Sequence, residues 1–156
     1  MPTLNWIGKE AVVDHHRHIP TRLLECDPEL SFGDPDAENL LVEGDNLEAL
    51  KALLPRYRGQ VKCIYIDPPY NTGNEWTYND KFVGDADLYR HSKWLAFVER
   101  RMRLAKDLLA PRGVLCVSIG AQEMHRLKLL LEQIFENKVV QAISIQTTAG
   151  GDRKSV

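Results

Sequence analysis

Asp67, Pro68, Pro69 and Tyr70 follow directly on an apolar run, VKCIYI, at residues 61–66. An acid and an aromatic ring therefore stand side by side on a stiff turn. Each proline fixes its own φ and restricts the residue before it, so Asp67 is held extended with its carboxylate beside the neighbouring carbonyls. A carboxylate plus a backbone carbonyl is a pair of acceptors with no donor. Such a pair suits an exocyclic amino group, because it can hold both amine hydrogens at once. Holding both draws the nitrogen towards pyramidal geometry and frees its lone pair. Tyr70 adds a flat face on which an aromatic base can stack, worth about 1–3 kcal/mol per base in single-strand binders. Core packing is the plainer role for this ring, but a tyrosine placed after two prolines at a strand end favours the functional one.

The elements that must position this turn are legible as an alternation. NLLVEGD (39–45) reads as a strand ended by Gly-Asp, and NLEALKALLPRY as a helix with Leu47, Leu50 and Leu54 on one face and Asn46 as its N-cap. VKCIYI reads as a strand buried on both faces of a parallel sheet. HSKWLAFVERRMRLAKDLLAPRG repeats apolar residues at Leu95, Val98, Met102, Ala105 and Leu109, a helix stopped by Pro111 and Gly113. GVLCVSI is a third strand, 121–137 a further helix through Leu127, Leu130, Leu131 and Ile134, and KVVQAISIQ a fourth strand. The order predicts an α/β domain with a mainly parallel sheet, in which ligands bind beyond the carboxyl ends of the strands. Asp45, Asp67 and Gly120 all fall at that edge. Asp45 serves equally as the cap of the helix after it. Residues 1–37 lack a sustained period and read as an extension wrapping a domain at 38–156, with one short helix near TRLLE.

With GDNLEAL upstream and HSKWLAFVERRMRLAKDLL downstream, IYIDPPYNTGN resembles the amino-methyltransferases of DNA. It looks most like the β-class adenine-N6 enzymes, including the modification subunits of type III restriction systems. The shorter tetrapeptide also occurs in methyltransferases acting on RNA, and related ones in those acting on glutamine; the longer match is far more restrictive. The resemblance runs from about Leu4 to the chain end. It implies a Rossmann-like, circularly permuted fold and S-adenosylmethionine as cofactor. It also implies a flipped-out adenine, its N6 amine held by Asp67 and the Pro68 carbonyl, with Pro69 stiffening the turn and Tyr70 stacking on the ring. By the same resemblance Asp45 and Asp67 lie near the cofactor, and Asn71, Thr72 and Gly73 shape the loop over the site. Trp76, Tyr78 and the Arg100, Arg101 and Arg103 cluster are the candidate DNA contacts, with anchoring of the loop the alternative for Trp76 and Tyr78. Where Gly120 stands, relatives usually carry an acid.

Two segments expected of such enzymes are not read in these 156 residues: a target-recognition region and a Phe-x-Gly-x-Gly cofactor loop, which AGGDRK at 149–154 does not match. The expectation is thus the N-terminal half of a DNA adenine methyltransferase, inactive alone. It would be completed by a complementary C-terminal half or a second copy, and would serve beside a restriction subunit. The alternative is a catalytically inactive nucleic-acid-binding or interaction module that kept the fold.

Composition supports a globular chain without narrowing the chemistry. No stretch approaches the about 18 apolar residues of a membrane span, and MPTLNWIGKE lacks the pattern of a secretory signal. Cys26, Cys63 and Cys116 read as reduced, mostly buried thiols of a cytoplasmic protein. The nine acids from Glu25 to Glu48 meet no Lys or Arg. Seven basic residues between Arg90 and Arg112 face two acids, which suits a phosphate backbone or simply a solvated helix face. His15, His16 and His18 form a polar surface turn rather than a metal site, and His91 and His125 receive no role.

Overall fold

The computed structural model describes residues 3–72 and 89–145. Gly73, Trp76 and Tyr78 lie outside the described residues. The elements are α1 (His15–His18), α2 (Asn46–Tyr57), β1 (Val61–Ile66), α3 (Arg90–Leu108), β2 (Leu109–Val117) and α4 (Ala121–Ile134), with 3₁₀ turns at Lys9–Ala11 and Pro35–Ala37. β1 and β2 are parallel neighbours, joined through α3, and run in register from Cys63 opposite Val114 to Ile66 opposite Val117. Both strands therefore end at one level, with Asp67 and Ser118 leaving the sheet side by side.

The α3-to-β2 junction departs from the sequence reading. α3 ends at Leu108, not at Pro111 and Gly113, because Leu109 turns extended and starts β2 at once. The register shifts between Val61 and Cys63, so Pro111 sits where the ladder is irregular and its missing N–H costs nothing. Gly113 is required by close approach: a Cβ there would lie 2.8 Å from the Val61 carbonyl oxygen.

α3 carries the core on two sides. Trp94, Leu95, Phe97, Val98 and Met102 pack with Leu127, Leu130, Leu131 and Ile134 of α4, beneath Ile66, Leu115 and Val117 of the sheet. Leu104 and Leu108 pack with Leu47 and Leu54 of α2, beneath Val61 and Ile64. From the N-terminal residues, Trp6 joins the first cluster and Ile19 the second. The short helix is not at TRLLE but at His15–His18, packed on α3. The three histidines thus belong to a helix rather than a surface turn.

Three further expectations are corrected. β1 is not buried on both faces: Cys63 and Tyr65, with Val114 and Cys116 of β2, are exposed, and no described element covers them. All three cysteines are exposed for related reasons, two on this bare face and Cys26 in the irregular N-terminal stretch. Residues 39–45 and 139–145 form no strand. A strand exists by pairing, and most of their apolar side chains reach solvent instead, Leu41 at 100% and Ile143 at 81% of full exposure. Among described residues the sheet has two strands rather than four.

Buried Glu99 on α3 accepts from Arg103 at 2.8 Å, while its second oxygen has no hydrogen-bond partner among the described residues. Burial pushes its carboxyl up, more than the Arg103 guanidinium lowers it. A carboxyl raised on folding binds its proton more tightly in the folded state. Its contribution is full below the unfolded value and is lost as pH rises through the folded one. Stability measured by urea unfolding should therefore fall as pH climbs from the ordinary carboxylate range towards neutrality, and Glu99→Gln should flatten that part of the curve.

Candidate active site

The site is built where β1 and β2 end. The Ser118 N–H donates to the Ile66 carbonyl at 2.9 Å, closing the ladder and launching both chains from one edge. Asp67 follows, exposed, with neither a hydrogen bond nor an ion pair among the described residues. The Pro68 carbonyl likewise accepts nothing there. The Pro69 carbonyl is taken, since the buried Trp94 indole Nε1–H of α3 donates to it at 2.7 Å. The turn thus leaves one carboxylate and one carbonyl available, the acceptor pair that an amino group needs.

Tyr70 is 38% exposed, and its hydroxyl pairs with the Ser118 hydroxyl at 2.7 Å. The phenol end is fixed to the neighbouring strand while part of the ring stays open to solvent. A Cβ built on Gly120 would lie 3.6 Å from the Tyr70 ring, so residue 120 borders that ring. The backbone there (φ −77, ψ 163) is ordinary extended chain that any residue adopts.

Beneath the turn lies a buried polar cluster. Asn71 has φ 56, a left-handed conformation that asparagine tolerates better than most residues. Its Nδ2 donates to Glu123 Oε1 at 2.5 Å, and its Oδ1 is buried without a hydrogen-bond partner among the described residues. Glu123 is fully buried in the first turn of α4, where the helix dipole favours an acid. The same Oε1 meets His91 Nδ1, and Oε2 meets Arg126 at 3.5 Å. His91 Nε2 faces Arg90 Nε at 3.4 Å, so a neutral ring with its hydrogen on Nδ1 satisfies both neighbours.

Asp45 is the N-cap of α2, taking the place expected of Asn46. Its Oδ1 accepts from the Leu47 and Glu48 N–H groups at 2.9 and 3.2 Å. Asp45 is exposed and its second oxygen makes no hydrogen bond among the described residues, so capping and ligand binding are compatible. Asp45→Ala should cost about 1 kcal/mol, a melting shift of about 2–4 °C. A loss of S-adenosylmethionine affinity beyond that set by unfolding would give it the second role. Thr72 is exposed at the end of the turn.

The three arginines have partners inside the protein. Arg101 donates to Asn46 Oδ1 at 2.7 Å and stacks over Phe97, Arg103 pairs with Glu99, and Arg100 donates to the Ala96 carbonyl. These contacts account for them without nucleic acid. No group of His, Cys, Asp and Glu that could hold a metal ion occurs among the described residues. No described helix is long and apolar enough to cross a membrane.

Ser118, Trp94, Glu123 and His91 complete the site without a motif of their own. Ser118 had a usable signal, a polar residue closing the strand beside the site. Glu123, third in its helix, reads as a capping residue. His91 and Trp94 have no local signature.

A family model described as DNA methylase matches residues 61–154. The probable type III restriction-modification enzyme HindVI Mod subunit of Haemophilus influenzae is 42% identical over 146 residues, 92% of this chain and 17% of that protein. The type III EcoP15I Mod subunit of Escherichia coli is 35% identical, over 85% of this chain and 25% of its own length. The type II methyltransferase M.KpnI of Klebsiella pneumoniae is 37% identical over 59% of this chain and 22% of its own. The chain thus spans a quarter or less of these relatives.

Proposed function

The chain belongs to the DNA methylase family, and from that premise we propose that it supplies the amine-binding part of a site-specific DNA adenine-N6 methyltransferase centre. The observation that carries the reading is the turn itself. The Asp67 carboxylate and the Pro68 carbonyl make no hydrogen bond among the described residues, while Pro69 and Tyr70 are tied down by Trp94 and Ser118. An adenine amine donates two hydrogens and stacks by its ring, which matches two acceptors beside a part-exposed phenol.

Asp67 and the Pro68 carbonyl accept those hydrogens and leave the nitrogen lone pair directed away from the turn. Tyr70 sets the plane of the base, and fixing that orientation accounts for much of the rate. S-adenosylmethionine supplies an electrophilic methyl on a cationic sulfur when bound. The available groups suit a cationic, amine-bearing cofactor: the carboxylates of Asp45 and Asp67 are exposed, and Asn71 Oδ1 is an unused buried acceptor. Thr72 and Gly73 are cofactor-side residues in this reading, and Trp76, Tyr78 and the outer faces of Arg100, Arg101 and Arg103 are the DNA contacts.

The fold in this reading is part of a permuted Rossmann-like domain. The bare sheet face and the unpaired apolar segments 39–45 and 139–145 support completion by a complementary C-terminal part or a second copy. A restriction subunit is a further partner by analogy with the Mod relatives.

The test is methyl transfer from labelled S-adenosylmethionine to unmethylated plasmid DNA. It is run with the chain alone and with the chain substituted for the matching segment of the Haemophilus relative. Labelled N6-methyladenine from the chimera supports the reading, and labelled cytosine, or none from a folded chimera that binds DNA, overturns it. The last result would favour an inactive binding module. Gly120→Asp, which restores an acid beside Tyr70 and adds an N-cap to α4, should stabilise the chain by a few tenths of a kcal/mol and raise the transfer rate.

A further inference from the structure

We propose that Glu123 and His91 are positioning residues: they hold the Asn71 carboxamide, and through it the Asp67–Tyr70 turn, in the shape that receives the amine. The inference rests on the functional reading above. A carboxylate in the interior persists when its oxygens are well partnered, and each partner then becomes costly to remove. Glu123 is fully buried, and two of its three partners come from the segments on either side of residues 72–90. Asn71 ends the catalytic turn and His91 lies in the first turn of α3. One oxygen of one helix therefore ties the end of that turn to the start of α3.

The turn is held at two other points, Pro69 by Trp94 and Tyr70 by Ser118. Neither restrains Asn71, whose positive φ is a conformation non-glycine residues leave unless their surroundings hold them in it. The bond from Asn71 Nδ2 to Glu123 supplies that restraint. The 52-residue separation between them makes it a tertiary constraint rather than a property of the turn. Asn71 and His91 both meet Oε1, so a glutamine at 123 with its amide oxygen there keeps both bonds and presents its NH₂ on the Arg126 side. Glutamine should preserve the turn and alanine should release it.

The experiment uses the ¹⁵N-labelled full chain and its Glu123→Ala, Glu123→Gln and Asn71→Gly variants. The Trp94 indole resonance, assigned by its loss in Trp94→Phe, reports the hydrogen bond to the Pro69 carbonyl. Glu123→Ala is expected to move the indole proton upfield, and Glu123→Gln to leave it in place. Asn71→Gly, which accepts a positive φ without strain, should move it as Glu123→Ala does and decides the matter if Glu123→Ala does not fold. In the methyl-transfer assay, Glu123→Ala should lower kcat about tenfold or more, and Glu123→Gln should restore it. An unmoved Trp94 signal in folded Glu123→Ala or Asn71→Gly overturns the proposal, as does a Glu123→Gln variant that behaves like alanine. If the Trp94 pattern holds while the parent transfers no methyl, the positioning geometry stands and the functional reading fails.

Discussion

Asp67→Ala should abolish most methyl transfer, about 10²–10³-fold in kcat, the loss expected when a preorganised polar partner of the reacting group is removed. The structure makes this a clean substitution. Asp67 is exposed and makes no hydrogen bond or ion pair among the described residues, so the variant should keep the melting temperature of the parent. Unchanged stability with lost transfer would place the effect in the chemistry. Transfer retained within about threefold would mean that the Pro68 carbonyl alone holds the amine, and that the charge at 67 is dispensable. The measurement is a single-turnover transfer rate in the chimera, with circular dichroism melting as the control.

Trp94→Ala should have the opposite profile, with a large loss of stability. Trp94 is completely buried between α3, α4 and the N-terminal residues, and truncation of such a residue costs about 3–5 kcal/mol. For a chain of this size that is a melting shift of about 10 °C or more. Trp94→Phe separates the two duties of the indole. It keeps most of the packing but removes the donor to the Pro69 carbonyl, so stability should fall far less than in the alanine variant. Urea unfolding of the pair decides it: equal losses in the two variants would show that the hydrogen bond, not the buried volume, carries the effect.

The amphipathic helices were legible because they bury a stripe on a 3.6-residue period, which survives in the residues whatever they pack against. α2, α3 and α4 appear close to where Leu47, Leu54, Val98, Met102, Leu127 and Ile134 require them. The strands were less legible. VKCIYI and GVLCVSI pair with each other through an α3 crossover and are strands, whereas residues 139–145, equally rich in Val and Ile, are not, and neither is NLLVEGD. Propensity does not distinguish 139–145 from the strands, because backbone donors and acceptors are satisfied by a neighbour that the local sequence does not contain. The end of α3 is hidden from local sequence for a similar reason: Pro111 and Gly113 punctuate a bulge set by pairing with Val61, not a helix terminus.

The sequence by itself determined the chemistry of the turn. Two prolines, an acid and a tyrosine impose their geometry through φ restriction and side-chain type, which act over one or two residues. The tertiary structure decided what holds that turn. Ser118 reaches Tyr70 across 48 residues, Trp94 reaches Pro69 across 25, and Glu123 reaches Asn71 and His91 across 52 and 32. None of these partners has a pattern within its own segment. A hydrogen bond needs two groups within about 3 Å, and only the packing of α3 and α4 beneath the sheet brings these together.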